Sequence, residues 1–258
     1  MTLHVDCRGR GADLVLIHGW GMSSAVWKGL PADLTGSHRL TAIELPGHGH
    51  SPFQPPGNGL EDWVSACLEV APEQSVWLGW SLGGLVAMAA ALRRPERISA
   101  LVLMTATPRF VQAEDWPAAM AAETLAGFHR GLLEDPAGTL QRFLALQVRG
   151  SDAGRETLRR LRREIASRPQ PRAEALAEGL DLLGESDLRD RLADLACPSL
   201  WLFGDRDTLV PAAAAAGVRR LLPGARLGVI RGSSHAPFLS HPAETAAEIL
   251  SFLRELAQ

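Results

Sequence analysis

Three polar side chains, far apart in the sequence, have the types and surroundings needed for nucleophilic acyl chemistry. Ser81 stands in Gly79-Trp80-Ser81-Leu82-Gly83-Gly84, after the apolar run at 75–78 and before the Ala/Leu-rich run at 85–89. A serine among glycines is commonly turn chemistry, because both residues tolerate tight backbone geometry. Here a β-type run leads in and a helical run leads out, so the turn reads as a strand-to-helix corner that pushes the hydroxyl outward. A hydroxyl is a weak nucleophile at neutral pH and needs a base and a group that orients the base. His235, in Gly232-Ser233-Ser234-His235-Ala236-Pro237, is the candidate base. Asp205 and Asp207, in the segment from Gly204 to Pro211, compete as the acid. The end of the run at 100–104 offers Thr105-Ala106-Thr107 and no carboxylate. For the oxyanion, the expected donors are the backbone N–H groups of Leu82 and of Trp20 in His18-Gly19-Trp20-Gly21. His18 itself reads as packing beneath that turn.

The elements that must position these groups follow from apolar runs at 14–17, 40–45, 76–78, 100–104, 200–203 and 227–230, with helical patterns between most of them. Such alternation predicts an α/β domain, and near-continuous apolar runs suit parallel strands covered on both faces. The rhythm breaks between 108 and 188, which carries helical patterns at 139–148 and 155–166 but no convincing strand. The expected organisation is therefore a core made of 1–107 and 189–258, with an all-helical cap of 108–188 inserted in it, the whole forming a single structural unit. Strand ends are where the active-site loops of open α/β sheets gather, and the cap should lie over them.

Composition sets outer limits. The chain has 258 residues, 46% hydrophobic and 21% charged, which is enough for one well-buried core. A formal net charge of -3 argues against a general nucleic-acid binder. Lys28 is the only lysine and tyrosine is absent. Cys7, Cys67 and Cys197 are odd in number and widely spaced, which supports neither a disulfide framework nor a zinc site and suggests small buried hydrophobes. The start of the chain lacks the pattern of a signal peptide, and no run reaches membrane-spanning length. A monomeric cytoplasmic protein that uses no cofactor or metal is the expectation.

On these residues the whole chain resembles an α/β-hydrolase. More narrowly it is similar to the pimeloyl-acyl-carrier-protein methyl ester esterases of bacterial biotin synthesis. The narrow likeness is carried by HGWG at 18–21, GWSLGGLVA at 79–87, RPERISALV at 94–102, EDWP at 114–117, FLALQ at 143–147 and SHAPFLSHPAE at 234–244. Glu44-Leu45-Pro46-Gly47-His48-Gly49-His50-Ser51 is a variant of a loop of the wider superfamily, with Glu in place of Asp, and reads as structural. The resemblance implies an α/β-hydrolase fold and a triad of Ser81, Asp207 and His235. Its acid follows a short turn after the strand, and the G-x-x-D-x-x-V-P pattern falls on Asp207, leaving Asp205 as a solvated turn carboxylate. It implies removal of methanol from a pimeloyl chain carried on acyl carrier protein. Family substrate contacts fall on Trp20, Ser81, Leu82, Phe143, Leu144, Ala145, Leu146, Gln147 and His235, although an apolar stripe such as Phe143-Leu144-Leu146 also packs a helix.

Between 149 and 172 stand eight arginines against Asp152, Glu156 and Glu164. Arg155, Arg159 and Arg163 repeat at helical spacing along one face. The resemblance places carrier-protein docking on Arg142, Arg155 and Arg159, while Gly138 occupies a further matching place. Rival readings are another small-ester hydrolase or lactonase of the same fold, and a catalytically silent ligand-binding protein. Dehalogenase chemistry would need a carboxylate where Ser81 stands.

Overall fold

The computed structural model describes residues 2–54 and 59–256. Its centre is a sheet of seven strands in the order β1-β3-β2-β4-β5-β6-β7. These are β1 (Val5–Gly9), β2 (Ala12–Ile17), β3 (His38–Ile43), β4 (Ser75–Trp80), β5 (Ile98–Met104), β6 (Ser199–Gly204) and β7 (Arg226–Ile230). All neighbouring pairs are parallel except β1 with β3. The runs expected from the sequence are the parallel strands. In the interior of the sheet their apolar continuity reflects burial on both faces: every residue of β6 is buried, as are Leu14 to Ile17 of β2, whereas β7, at the other edge, is mostly half-buried with Val229 exposed.

β1 was not expected. Asp6 and Arg8 interrupt its apolar pattern, and its residues are only half-buried or exposed, as suits a polar strand at the sheet edge. Cys7 on this strand is exposed, which corrects its reading as a buried small hydrophobe. Cys67 is buried, and desolvation pushes its thiol up to about 12; half-buried Cys197 is pushed up to about 11.

Helices α1 (Ala32–Ser37), α2 (Leu60–Val70) and α3 (Leu82–Arg93) follow β2, β3 and β4, connecting the first half of the sheet. α3 is buried from Leu82 to Leu92, so it reads as apolar on all sides and not as an amphipathic surface helix. Between β5 and β6 come α4 (Ala122–Glu134), α5 (Pro136–Gln147), α6 (Gly154–Ala166) and α7 (Ala173–Glu185). α5 starts sharply because Pro136 opens it and the Asp135 carboxylate accepts from the N–H of Gly138 at 2.9 Å. The two ends of this segment meet: the N–H of Leu188 donates to the carbonyl of Pro108 at 2.9 Å, and Arg109 pairs with Asp187 at 2.9 Å. α8 (Ala214–Leu221), α9 (Pro237–Ser240) and α10 (Pro242–Leu256) complete the chain. No described helix is long and apolar enough to cross a membrane.

Candidate active site

Ser81 sits between β4 and α3 with φ 55° and ψ −119°, a backbone region that L-residues seldom adopt. The glycines make this corner possible. A Cβ at Gly79 would strike the main chain of Gly83 and Gly84, and one at Gly83 would strike the carbonyls of Ile17 and His18. The strand, the helix and the neighbouring β2 loop thus close on the serine without side chains between them.

The hydroxyl meets His235, whose loop follows β7. His235 Nε2 lies 2.9 Å from Ser81 Oγ, and His235 Nδ1 lies 2.7 Å from Asp207 Oδ2. The other oxygen of Asp207 accepts from the N–H groups of Leu209 at 2.8 Å and Val210 at 3.1 Å, so the turn after β6 fixes the carboxylate from behind. All three residues are buried. Asp205, two residues earlier, is exposed on the same turn and makes no contact with the imidazole. The arrangement can pass a proton from the hydroxyl to the imidazole while the carboxylate fixes the tautomer and balances the imidazolium.

Leu82 is the first residue of α3, so its N–H precedes the first intrahelical acceptor and is left for another partner. The loop His18-Gly19-Trp20-Gly21 lies alongside, since a Cβ on Gly19 would fall 3.3 Å from Ser81 Cβ. Two neutral histidines brace this loop. His18 Nδ1 donates to the carbonyl of Gly19 at 2.8 Å while its Nε2 accepts from the N–H of Leu45 at 3.0 Å. His48 Nδ1 donates to the carbonyl of Pro46 at 2.9 Å and its Nε2 accepts from the N–H of Gly21 at 3.2 Å. Burial lowers the pKa of His18 to about 4 and that of His48 to about 3, and an acceptor role for each Nε2 requires that neutral form. His48 escaped the reading of the sequence because its partner, Gly21, lies on a different loop.

Trp20 is fully buried, and the inserted helices wall it in. Its Nε1 donates to the carbonyl of Leu176 at 2.8 Å, and its ring meets Phe143 edge-on at 4.7 Å between centroids, with Phe128 at 6.2 Å. Of the residues at 143–147, Phe143, Leu144 and Gln147 are buried, Leu146 is half-buried and Ala145 is exposed. Ala145 therefore departs from the others; five consecutive residues span more than a full helical turn and cannot all face inward. Both side-chain polar atoms of Gln147 are buried without a partner. Its carbonyl accepts from the N–H of His235 at 3.0 Å, which puts the end of α5 directly on the base.

Arg142, Arg155 and Arg159 are exposed. Arg142 donates to Thr139 Oγ1 at 2.6 Å and lies 3.9 Å from Asp135, whereas Arg155 and Arg159 pair with no acid among the described residues. The one described cluster of potential metal ligands is His4, Asp6 and Glu44. The guanidinium of Arg168 already offsets one of its two carboxylate charges, pairing with Asp6 and lying 3.3 Å from Glu44 Oε1. This ties the segment after α6 to β1 and to the end of β3.

Residues 14–242 match the α/β hydrolase fold family. The chain is 44% identical over 260 residues to the pimeloyl-[acyl-carrier protein] methyl ester esterase of Stenotrophomonas maltophilia, covering 99% of this chain and 98% of that one. It is 43% identical over 246 residues to the enzyme of the same name from Photobacterium profundum, covering 95% and 96%. An esterase from Exiguobacterium antarcticum superposes with a TM-score of 0.88 at 21% identity, covering 98% of this chain and 95% of that one, a likeness of fold.

Proposed function

Because the chain belongs to the α/β-hydrolase family, among its pimeloyl-[acyl-carrier protein] methyl ester esterases, we propose that it cleaves that methyl ester at Ser81. The chain is a carboxylic ester hydrolase of that fold. Ser81 attacks the ester carbonyl as His235, oriented by Asp207, takes its proton. The N–H groups of Leu82 and Trp20 receive the oxyanion, and methanol leaves with the proton from His235. Water then attacks the acyl-enzyme by the same route and frees the acid. The single observation that carries this assignment is the relay of 2.9 Å and 2.7 Å from Ser81 through His235 to Asp207.

The segment 108–188 acts as the cap over this site, and the meeting of Pro108 with Leu188 supports its treatment as one insertion. Phe143, Leu144, Leu146 and Gln147 line the acyl chain, with the unpartnered amide of Gln147 as the polar group available to it. Arg142, Arg155 and Arg159 hold the acidic carrier protein. The enzyme works as a cytoplasmic monomer, free of membrane and nucleic acid, and needs no metal or organic cofactor.

Purified pimeloyl-carrier methyl ester, incubated with the enzyme and followed by mass spectrometry, should lose one methyl group. An unchanged mass, with p-nitrophenyl esters still hydrolysed, would assign a different ester to the same site.

A further inference from the structure

His235 is held at its main chain as well as at its ring. Its carbonyl accepts from Trp80 Nε1 at 2.7 Å and from Thr105 Oγ1 at 2.8 Å, and its N–H donates to the carbonyl of Gln147 at 3.0 Å. A carbonyl oxygen offers two lone pairs, so both are occupied. Asp207 sets the rotation of the imidazole; these three bonds set where the residue itself stands.

Thr105 is the informative partner. Its φ is 41°, and it and Ser81 are the two non-glycine residues with positive φ among those described. A β-branched residue in that region persists only where its surroundings over-determine it. The sheet register makes the two strained residues neighbours: Trp80 stands opposite Met104, so Ser81 and Thr105 come next on adjacent parallel strands. Ser81 N–H donates to the carbonyl of Met104 at 3.0 Å, and Thr105 N–H donates to that of Leu202 at 2.7 Å. One strained turn presents a hydroxyl to the His235 ring, and the other presents a hydroxyl to the His235 backbone. Thr105 is fully buried, so its Oγ1 has no recourse to solvent.

We propose that Thr105 is a positioning residue for acyl transfer: its hydroxyl, together with the Trp80 indole, holds the His235 main chain where Nε2 stays within reach of Ser81 Oγ. The end of β5, which carries no acid in this chain, serves the base through its backbone instead. The inference rests on the reading of Ser81 and His235 as nucleophile and base. A residue kept for packing alone would need the volume of threonine and not its hydroxyl.

Thr105→Val keeps volume and β-branching and removes the hydroxyl, whereas Thr105→Ser keeps the hydroxyl. Both variants and the wild type are assayed on p-nitrophenyl butyrate and by the rate of covalent labelling with an organophosphorus fluoridate, whose final stoichiometry counts competent sites. Loss of one buried hydrogen bond to the base loop should lower kcat and the labelling rate of Thr105→Val about tenfold, with KM within about twofold, while Thr105→Ser stays near wild type. Wild-type rates for Thr105→Val, or equal losses in the two variants, would overturn the proposal. If Thr105→Val does not fold, Thr105→Ala, which needs no extra room, takes its place in the same comparison. A wild type that is never labelled at Ser81 would instead remove the nucleophile assignment on which the proposal stands.

Discussion

The indole N–H of Trp20 donates to the carbonyl of Leu176 at 2.8 Å, so the residue assigned to the oxyanion hole through its backbone is fastened through its side chain to α7. α7 also approaches Trp20 closely at Gly179, where a Cβ would fall 2.8 Å from the indole. Trp20→Phe keeps an aromatic ring against Phe143 and deletes this one bond. The Leu176 carbonyl, which lies inside α7, then loses its second partner, at a cost of about 0.5–1.5 kcal/mol. If α7 holds the oxyanion loop in register, kcat on p-nitrophenyl butyrate falls by more than the lowered thermal midpoint accounts for. A loss of stability with unchanged kcat would make the bond purely structural.

Ser81→Ala should lower kcat on the order of 10⁴-fold or more, as deletion of a triad nucleophile does in other serine hydrolases. The fold should survive, because alanine keeps the Cβ that this corner already accommodates. Ser81→Gly adds a second readout. With the positive φ freed of its Cβ, it should exceed Ser81→Ala in stability by about 1 kcal/mol, measured as a denaturation midpoint.

Asp207 and Asp205 differ in burial and in partner, so their amides should differ in consequence. Asp207→Asn removes the charge that balances the imidazolium and presents an N–H₂ or a weaker acceptor to Nδ1; kcat should fall by about 10³-fold or more. Asp205→Asn, on the exposed side of the turn, should stay within about twofold, as exposed substitutions away from a site usually do. Equal losses in two folded variants would dissolve the distinction.

Much of this site was legible in the sequence because its parts are local. The Gly-x-Ser-x-Gly corner and the loop of His235 each carry their geometry within a few residues, whereas the residues alone left Asp205 and Asp207 open and only the family resemblance favoured Asp207. Six strands were legible for a related reason: burial within the sheet writes a continuous apolar run in five of them, and the edge strand β7 carries an apolar run although only Ile230 of it is buried. What was hidden depends on contacts between distant segments. β1 alternates charge because it is an edge, Thr105 is strained toward a carbonyl 130 positions away, and His48 supports a glycine in another loop. The facing of 143–147 needed the helix placed before Ala145 could be set apart from Phe143 and Gln147.

The buried histidines give the enzyme an acid limit unrelated to the triad. His18 and His48 have folded pKa values of about 4 and about 3, below the usual value of 6.5. Between those values and about 6.5 the unfolded chain binds more protons than the folded one, so stability is complete above 6.5 and is lost as pH falls. A tenfold difference in proton affinity between the two states corresponds to about 1.4 kcal/mol, so a loss of a few kcal/mol is expected by the lower end of that window. The thermal midpoint should drop steeply from pH 6.5 to 4, and His48→Gln, which cannot take up a proton there, should flatten the slope. A midpoint independent of pH across that range would contradict the neutral, accepting roles of both rings.

The arginines of α5 and α6 separate partner recognition from chemistry. Arg155 and Arg159 have no acidic partner within the described chain and stand exposed on α6, so replacing them by alanine should cost little stability. Arg142 donates to Thr139 Oγ1 at 2.6 Å and forms a long, exposed ion pair with Asp135 at 3.9 Å, so its charge is only loosely partnered. If these three charges meet an acidic carrier protein, the Arg142→Ala, Arg155→Ala, Arg159→Ala triple variant should raise KM for the carrier-bound ester. Its kinetics on p-nitrophenyl butyrate should not change, because a small ester reaches Ser81 without touching that surface. Added salt should weaken the wild-type reaction with the carrier substrate, since exposed charges are screened over about 8 Å near physiological ionic strength. The triple variant should lose most of that salt dependence. An unchanged carrier KM and an unchanged salt response in the folded variant would leave these arginines as a solvated helix face, with substrate choice falling to the residues of α5 proposed to line the acyl chain.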